Sequence, residues 1–206
     1  MRRARTLAAA CVRRCRPLAR VEEYGFDRDL FADLMTGYYL SREPARAWVA
    51  VSGERLVGYV FGTTDTRHRR RSTALLIAPA ALGRFLLRGS FLRRAPWRSL
   101  LVNWPLLRRH GSPPAGLLER HPAHLHIAVA ESHRSVGLGA ELLSRFLEGL
   151  RAAGVAGVHA AVRSDYPGGR RFFERQGFRA CSCGPAPRHP DADGDAPERI
   201  LYAREL

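Results

Sequence analysis

The segment Val129–Ala140, with the sequence VAESHRSVGLGA, constrains the fold of this chain more than any other segment. It begins at the end of His124–Ala130, whose apolar character predicts a β-strand, and it leads into Gly139–Arg151, whose periodicity predicts an amphipathic helix. The first turn of a helix has backbone N–H groups without intrahelical partners, and the helix dipole is positive there. Gly137 and Gly139 let a ligand approach the backbone closely. We therefore expect this strand–turn–helix unit to hold an anion, in particular a phosphate.

Two common phosphate-binding patterns are excluded at this turn. A dinucleotide-binding fingerprint needs a third glycine at the position where this chain has Leu142. A Walker A loop needs a lysine after its last glycine, and the sequence contains no lysine. The turn alone therefore indicates a bound anion without indicating which one.

The turn is similar to motif A of the GNAT acetyltransferases, which has the pattern V-x-x-x-x-R-x-x-G-x-G. Its defined positions are occupied by Val129, Arg134, Gly137 and Gly139. A later stretch resembles motif B of the same family, N-x-x-A-x-x-F-Y-x-x-x-G-F. Matching residues are Phe172, Gly177 and Phe178, while Tyr166, Gly169 and Phe173 replace the Asn, Ala and Tyr of the motif. Two motifs at this separation, each on the expected element, make the resemblance specific.

The resemblance implies an α/β fold: the GNAT fold, with a mixed, mostly antiparallel sheet that splays where coenzyme A enters and with helices on both faces. It implies acetyl-CoA as co-substrate, an amine as acceptor and no metal. In the family, backbone amides of the turn hold the pyrophosphate, and the pantetheine arm lies along the preceding strand. The residues thereby implied at the cofactor are Ile127, Ala128, Val129, Arg134, Ser135, Val136, Gly137, Leu138, Gly139, Ala140, Tyr166, Phe172 and Phe173.

A narrower resemblance involves three further stretches, YYLSREP at 38–44, WVAV to GTTDT at 48–66 and PAHLHI at 122–127. They look like the GNAT subgroup related to the acetyltransferase-like domain of O-GlcNAcases. That domain is regarded as a pseudo-acetyltransferase in the animal enzymes. Two functions therefore stay open, an N-acetyltransferase and a catalytically inactive module that binds coenzyme A, a protein or a membrane.

The candidate catalytic residues are His124 and His126, because histidine titrates near neutral pH and can take a proton from an amine. They resemble the HLH pair of arylalkylamine N-acetyltransferases but lie one residue closer to the glycine turn. Side chains alternate along a strand, so this shift reverses their face unless a bulge restores it. Both a catalytic and a structural role stay open, and Asp65 is a second candidate base.

The formal charge of +15 raises the question of nucleic-acid binding. Because every one of the basic side chains is arginine, the charge reflects a compositional bias, and we do not expect nucleic acid as a partner. Its placement is more informative, since residues 66–118 contain eleven arginines and no acidic residue. Residues 66–120 are therefore predicted to form a basic helical insertion between the third and fourth strands. Three roles stay open for this insertion: a lid or homodimer surface, a segment that contacts a membrane, and a binding site for an acidic partner.

The remaining features indicate a single domain over residues 1–206 in a reducing, cytoplasmic environment. The basic first twenty residues contain an apolar run too short for a secretory signal and are predicted to lead into a first strand. Neither the four cysteines nor the DADGD stretch at 191–195 has the spacing of a zinc or calcium site. No apolar stretch approaches the roughly twenty residues that cross a bilayer.

Overall fold

The sheet is mixed and mostly antiparallel. The computed structural model describes residues 28–89, 92, 97, 101, 113–114, 116–186 and 198–206. Six strands of this part form one sheet in the order β1-β2-β3-β4-β6-β5, in which only β3 and β4 run parallel. The strands are β1 (Ala47–Ser52), β2 (Arg55–Thr63), β3 (Ala123–Val129), β4 (Gly157–Arg163), β5 (Arg179–Pro185) and β6 (Glu198–Glu205). The architecture expected from the sequence is confirmed.

Helices cover both faces of this sheet. They are α1 (Arg28–Arg42), α2 (Thr66–Ser72), α3 (Ala78–Leu87), α4 (Leu117–Arg120), α5 (Leu138–Ala152) and α6 (Pro167–Arg175). A π-helical turn, Thr73–Ile77, joins α2 to α3, and short 3-10 turns span Pro44–Arg46 and Glu131–His133. No helix in this described part is both long and apolar enough to cross a bilayer.

The first face of the sheet carries α5, which has the apolar stripe predicted from its spacing. Its buried side chains are Leu142, Leu143, Phe146, Leu147 and Leu150. They pack against Val60 of β2, Leu125 of β3 and Val158 of β4 in the main core. Gly62 on β2 is required beneath this helix, because an added Cβ would meet the Phe146 ring and the His124 carbonyl oxygen.

The second face carries α1, where the aromatic side chains Tyr38, Tyr39, Tyr59 and Phe61 form a separate cluster. The apolar residues between Glu22 and Leu40 have a mixed helical spacing that predicts short helices, and the described part of this stretch instead belongs to one helix of fifteen residues, Arg28–Arg42. The mixed spacing has a physical cause, since the buried side of α1 includes the polar residues Asp33 and Thr36. Buried polar side chains interrupt the apolar period from which a helix is recognised.

The described part of the basic segment at 66–120 contains the helices α2, α3 and α4 and the π-helical turn between α2 and α3. Its α3 is tied to α1 by an ion pair between Arg84 Nε and the buried Asp33 carboxylate at 2.8 Å. Several of its leucines are exposed, namely Leu75, Leu76, Leu82, Leu86 and Leu87. The predicted N-terminal strand, Cys11, Cys15 and the DADGD stretch lie outside the described residues.

Candidate functional site

The central feature of the site is a gap between β3 and β4. Strand β3 pairs with β2 over six residues, from His124 to Val129. It pairs with β4 only at Ala123↔Val158 and His124↔His159. From Leu125 onward, no described strand pairs with the edge of β3 that faces β4. Unpaired backbone N–H and C=O groups need a partner, so this edge can bind an extended ligand.

The glycine turn lies at the end of this gap and begins α5. Gly137 caps the helix at a φ of 84°, and no side chain bonds to the helix start. A Cβ at Gly137 would meet nothing within 4 Å, so glycine is favoured here by the positive φ and not by crowding. The space beside the first amides of the helix is open. At Gly139, by contrast, a Cβ would lie 3.2 Å from Cε2 of Phe172. Its glycine permits close packing between α5 and α6.

A cation and an aromatic ring flank the turn. Arg134 donates from Nε to the Val129 carbonyl oxygen at 3.3 Å and reaches Glu131 at 3.4 Å. Its guanidinium lies 5.7 Å from the centre of the exposed Tyr166 ring. The predicted residues Ser135, Val136, Gly137, Leu138 and Gly139 therefore share one open, positively charged corner with Arg134 and Tyr166.

The two phenylalanines of the second motif occupy different places. Phe172 packs on the first turn of α5, as its contact with Gly139 requires. Phe173 is 5% exposed and belongs to the core, with ring centres 5.0 Å from Phe178 and 6.1 Å from Tyr202. Phe172 thus lies closer to the turn, and a role of Phe173 at the cofactor stays a prediction.

His124 and His126 point to the second face of the sheet. The β2–β3 ladder has no register shift, so no bulge changes the phase of β3. Leu125, Ile127 and Val129 accordingly pack toward α5, while Ala128 joins the cluster under α1. The side chains of the two histidines therefore lie on one face of β3, and those that pack toward α5 lie on the other. Both faces border the same gap.

The histidines form a cluster with residues that are distant in sequence. Tyr39 Oη lies 3.1 Å from His124 Nδ1. The His124 ring centre lies 4.5 Å from that of His126 and 5.2 Å from that of His159. His159 Nδ1 lies 2.9 Å from the His121 carbonyl oxygen, to which it donates.

These three histidines are neutral at ordinary pH. Burial, together with the positive charge of Arg69, lowers the pKa of His126 to about 3. Burial likewise lowers the pKa of His159 to about 4, against the raising effect of its hydrogen bond to His121. Burial and the neighbouring His126 hold the pKa of His124 well below its usual value. A neutral imidazole can accept a proton, so the cluster is in the protonation state that a base requires.

Asp65, the second candidate base, has a structural task. Its carboxylate accepts hydrogen bonds from the backbone N–H groups of Arg67 and His68, at 2.7 and 3.0 Å. It is therefore the N-cap of α2.

Comparison with known proteins identifies the fold. The model of the acetyltransferase (GNAT) family matches residues 98–178. The solved structure of SsHAT is 25% identical, covers 100% of this chain and 95% of its own, and has a TM-score of 0.67. The fold is the GNAT fold. Ard1 from Thermoplasma volcanium is 17% identical over 96% of this chain and 93% of its own, with a TM-score of 0.55.

A further solved acetyltransferase shares the GNAT fold, at 16% identity and a TM-score of 0.55 over 98% of this chain and 95% of its own. No curated protein matches the sequence significantly. Within the described part of the chain, no group of three or more His, Cys, Asp or Glu side chains could hold a metal ion.

Part of the site on this GNAT fold is not recognisable from the sequence. Tyr39, Arg69 and His159 surround the predicted histidine pair, yet they come from α1, α2 and β4. Only His159 carried a local signal, as a polar residue on the buried side of an apolar strand. The other two become recognisable only when the helices are packed on the sheet.

Proposed function

We propose that this chain is an acetyl-CoA-dependent N-acetyltransferase that transfers an acetyl group to a primary amine by direct attack in a ternary complex. The observation that carries the proposal is the gap between β3 and β4, which opens beside the glycine turn. The family match over residues 98–178 supports the acetyltransferase activity. The narrower resemblance to the acetyltransferase-like domain of O-GlcNAcases remains a prediction.

The residues at the gap fit coenzyme A. The amides at the start of α5, beside Arg134, offer donors and positive charge for a pyrophosphate. The free edge of β3 from Leu125 to Val129 offers backbone partners for an amide-containing arm. When bound, acetyl-CoA supplies an activated acyl group, and a backbone N–H near Val129 is suited to polarise its carbonyl.

His126 is the residue we assign to proton removal. It projects from β3 to the side opposite α5, beside Tyr39 and Phe61, with ring centres 5.8 and 5.2 Å away. Because its pKa is lowered to about 3, it is neutral and accepts a proton only when the donor nitrogen has become strongly acidic. An attacking nitrogen reaches that acidity as its new bond forms.

The same surroundings act on the acceptor amine. Burial and positive charge lower the pKa of the histidines, and they lower the pKa of any ammonium group placed beside them. The site therefore favours the neutral, nucleophilic form of the amine. His126 then has to take only the proton that is released during attack.

Calorimetric titration with acetyl-CoA tests the cofactor site. We expect wild type to bind in the micromolar range and Gly137→Glu to bind at least about tenfold more weakly, because its carboxylate would lie at the helix start. Gly53→Glu is the matched control, since Gly53 also has a positive φ and open space but lies in the β1–β2 turn. Equal binding by all three proteins would contradict the assigned site.

Amine-dependent thiol release tests the activity itself. A panel of primary amines is screened with wild type and His126→Gln, and kcat/KM is followed against pH. We expect wild type to release thiol only with an acceptor and His126→Gln to be slower by about a hundredfold. Binding of acetyl-CoA without release with any amine would favour the inactive-module alternative. An unchanged rate and pH profile in His126→Gln would remove His126 from the mechanism.

A further inference from the structure

The π-helical turn Thr73–Ile77 and helix α3 together present an apolar side to solvent. Between residues 72 and 87 the sequence contains one charged side chain, that of Arg84. A helix that is apolar on every side is normally buried, in a protein core or in a lipid layer. Here Leu75 is 74% exposed and Leu87 is 89% exposed. The exposed leucines, which we call the leucine face, are Leu75, Leu76, Leu82, Leu86 and Leu87.

The opposite side of the same helix is fixed to the rest of the protein. Ala81 and Phe85 are buried, and Ile77 packs against the aromatic cluster under α1. Arg84 is paired with the buried Asp33 of α1 at 2.8 Å. These contacts determine which side of α3 is turned inward. The leucine face is therefore held outward by the fold.

The dimensions of the leucine face suit a surface better than a span. Leu82 and Leu86 lie one turn apart on α3, Leu87 ends the helix, and Leu75 lies on the preceding π-helical turn. From the first to the last leucine the helix rises by about 18 Å. The hydrocarbon core of a bilayer is about 30 Å thick. The leucine face could thus lie along a lipid surface, whereas the helix is too short to cross one.

Positive charge is concentrated in the same segment. The formal net charge of the chain is +15, of which +11 falls within residues 66–118. Ion pairs within the chain cannot remove this excess, because the chain has 19 acidic side chains for its 34 basic ones. Arg71 precedes the leucine face and Arg88 follows it, and both are exposed. The surface therefore combines aliphatic side chains with arginines at its two ends.

We infer that the leucine face and its flanking arginines dock on an anionic membrane surface. The leucines enter the boundary between headgroups and acyl chains, and the arginine stems extend so that their guanidinium groups reach the lipid phosphates. This inference does not rest on the proposed acetyltransferase function.

Charge and composition favour a lipid surface over a second copy of this chain or another protein. A second copy would bring the same arginines to the contact, and like charges repel. An anionic lipid surface brings the opposite charge. Apart from Arg84, the exposed side chains from Ala74 to Leu87 are alanine, proline and leucine. Aromatic side chains and paired polar groups, which give protein interfaces their specificity, are absent from this described stretch of surface.

Vesicle flotation with the full chain tests the inference. The vesicles contain phosphatidylcholine alone or include about one quarter phosphatidylglycerol. We expect wild type to bind the anionic vesicles at least about tenfold more tightly than the neutral ones at low salt. Leu75→Glu/Leu87→Glu should weaken this binding at least about tenfold. Val49→Glu/Val51→Glu is the matched control, because it adds the same charge at two exposed apolar residues of β1.

A charge-neutral variant separates lost apolar contact from added negative charge. Leu75→Gln/Leu87→Gln keeps the net charge and should still weaken binding several-fold. Leu87→Gln alone serves the same purpose if the double variants fold poorly, because this side chain is almost fully exposed. Failure of wild type to bind anionic vesicles would overturn the inference. Equal binding by wild type and the glutamine variants, or an equal loss in the Leu75/Leu87 and Val49/Val51 glutamate variants, would do the same.

Sedimentation velocity without vesicles examines the alternative occupant. We expect wild type and Leu75→Glu/Leu87→Glu to have the same oligomeric state. A wild-type dimer that this variant converts to a monomer would assign the leucine face to an interface between copies and would overturn the membrane inference. Acetyl-CoA binding should be unchanged in the variant, because α3 packs on α1 and the glycine turn begins α5 on the other face of the sheet. A failure of this inference can therefore be told apart from a failure of the proposed function.

Discussion

The hydroxyl group of Tyr39 on α1 lies 3.1 Å from Nδ1 of His124 on β3. Tyr39 is 1% exposed, and its burial raises the pKa of the phenol, so the hydroxyl keeps its proton and can donate to the imidazole. When the hydroxyl donates in this contact, a neutral His124 carries its hydrogen on Nε2. One contact between residues 85 positions apart thereby joins α1 to the histidine cluster on β3.

Replacement of this tyrosine tests the contact. Tyr39→Phe removes the hydroxyl and should cost about 0.5–1.5 kcal/mol of unfolding free energy, since one partly buried hydrogen bond is lost. It should also raise KM for the acceptor several-fold, because the contact that orients His124 beside His126 is lost. Tyr38→Phe is the control, as that hydroxyl donates to Glu43 at 2.9 Å and does not reach His124. Urea denaturation and steady-state kinetics measure the two effects. Equal KM values for the two variants would contradict the role of Tyr39.

Acid should destabilise the folded state through the histidine cluster. His126 and His159 have folded-state pKa values of about 3 and 4, below the value of about 6.5 expected in the unfolded chain. The unfolded chain therefore binds more protons, and stability falls as pH falls from about 6.5 through these values. Each residue contributes up to about 1.4 kcal/mol per pH unit in that window. The groups that face His126 are Arg69, Tyr39, Phe61 and the other two histidines.

A variant separates this effect from the titration of carboxylates elsewhere. Urea unfolding of wild type and His126→Gln is compared between pH 8 and pH 4. We expect the difference in unfolding free energy between the two proteins to shift in favour of His126→Gln as the pH falls. Parallel curves would show that His126 is not held neutral by the fold.

Gly62 should be the least replaceable glycine under α5. An added Cβ would meet the ring of Phe146 on one side and the backbone of β3 on the other, and backbone cannot move aside. Gly62→Ala should therefore lower the unfolding free energy by about 3 kcal/mol or more. Gly83→Ala in α3 is the control, because no atom lies within 4 Å of its added Cβ, and it should be neutral or stabilising by up to about 1 kcal/mol. Similar melting temperatures for the two variants would refute the packing argument.

Asp65 should behave as a helix cap rather than as a base. Asp65→Asn keeps an oxygen acceptor for the N–H groups of Arg67 and His68, so stability and kcat/KM should stay near the wild-type values. Asp65→Ala removes the acceptor and should cost about 1 kcal/mol. A loss of about a hundredfold in kcat/KM for Asp65→Asn, with unchanged stability, would instead reveal a proton-transfer role.

Local periodicity and glycine spacing predicted the elements that carry the cofactor turn. The stripe from Leu142 to Leu150 and the positive φ of Gly137 depend on neighbours only a few residues away. The α1 helix was harder to predict, because Asp33 and Thr36 are buried by packing against other elements. Such burial is decided by tertiary structure, which a local window does not contain.

The histidine cluster could be predicted only in part, for the same reason. His124 and His126 are two residues apart and were recognised as a pair. Arg69 and Arg199 join them from α2 and β6, and only the strand order brings these side chains to one cavity. The uneven distribution of arginine pointed to residues 66–118, yet which of those arginines reaches the sheet depends on how α2 is oriented.

Because of the gap between β3 and β4, hydrogen–deuterium exchange can report whether a ligand is bound beside β3. Amide groups of residues 125–129 that face away from β2 have no strand partner in the described structure, so their hydrogens should exchange with deuterium quickly in the free protein. Amides on the β2 side of the same strand should exchange slowly. A ligand that fills the gap would slow the first set and leave the second unchanged, so β3 itself reports occupancy before any acceptor is known.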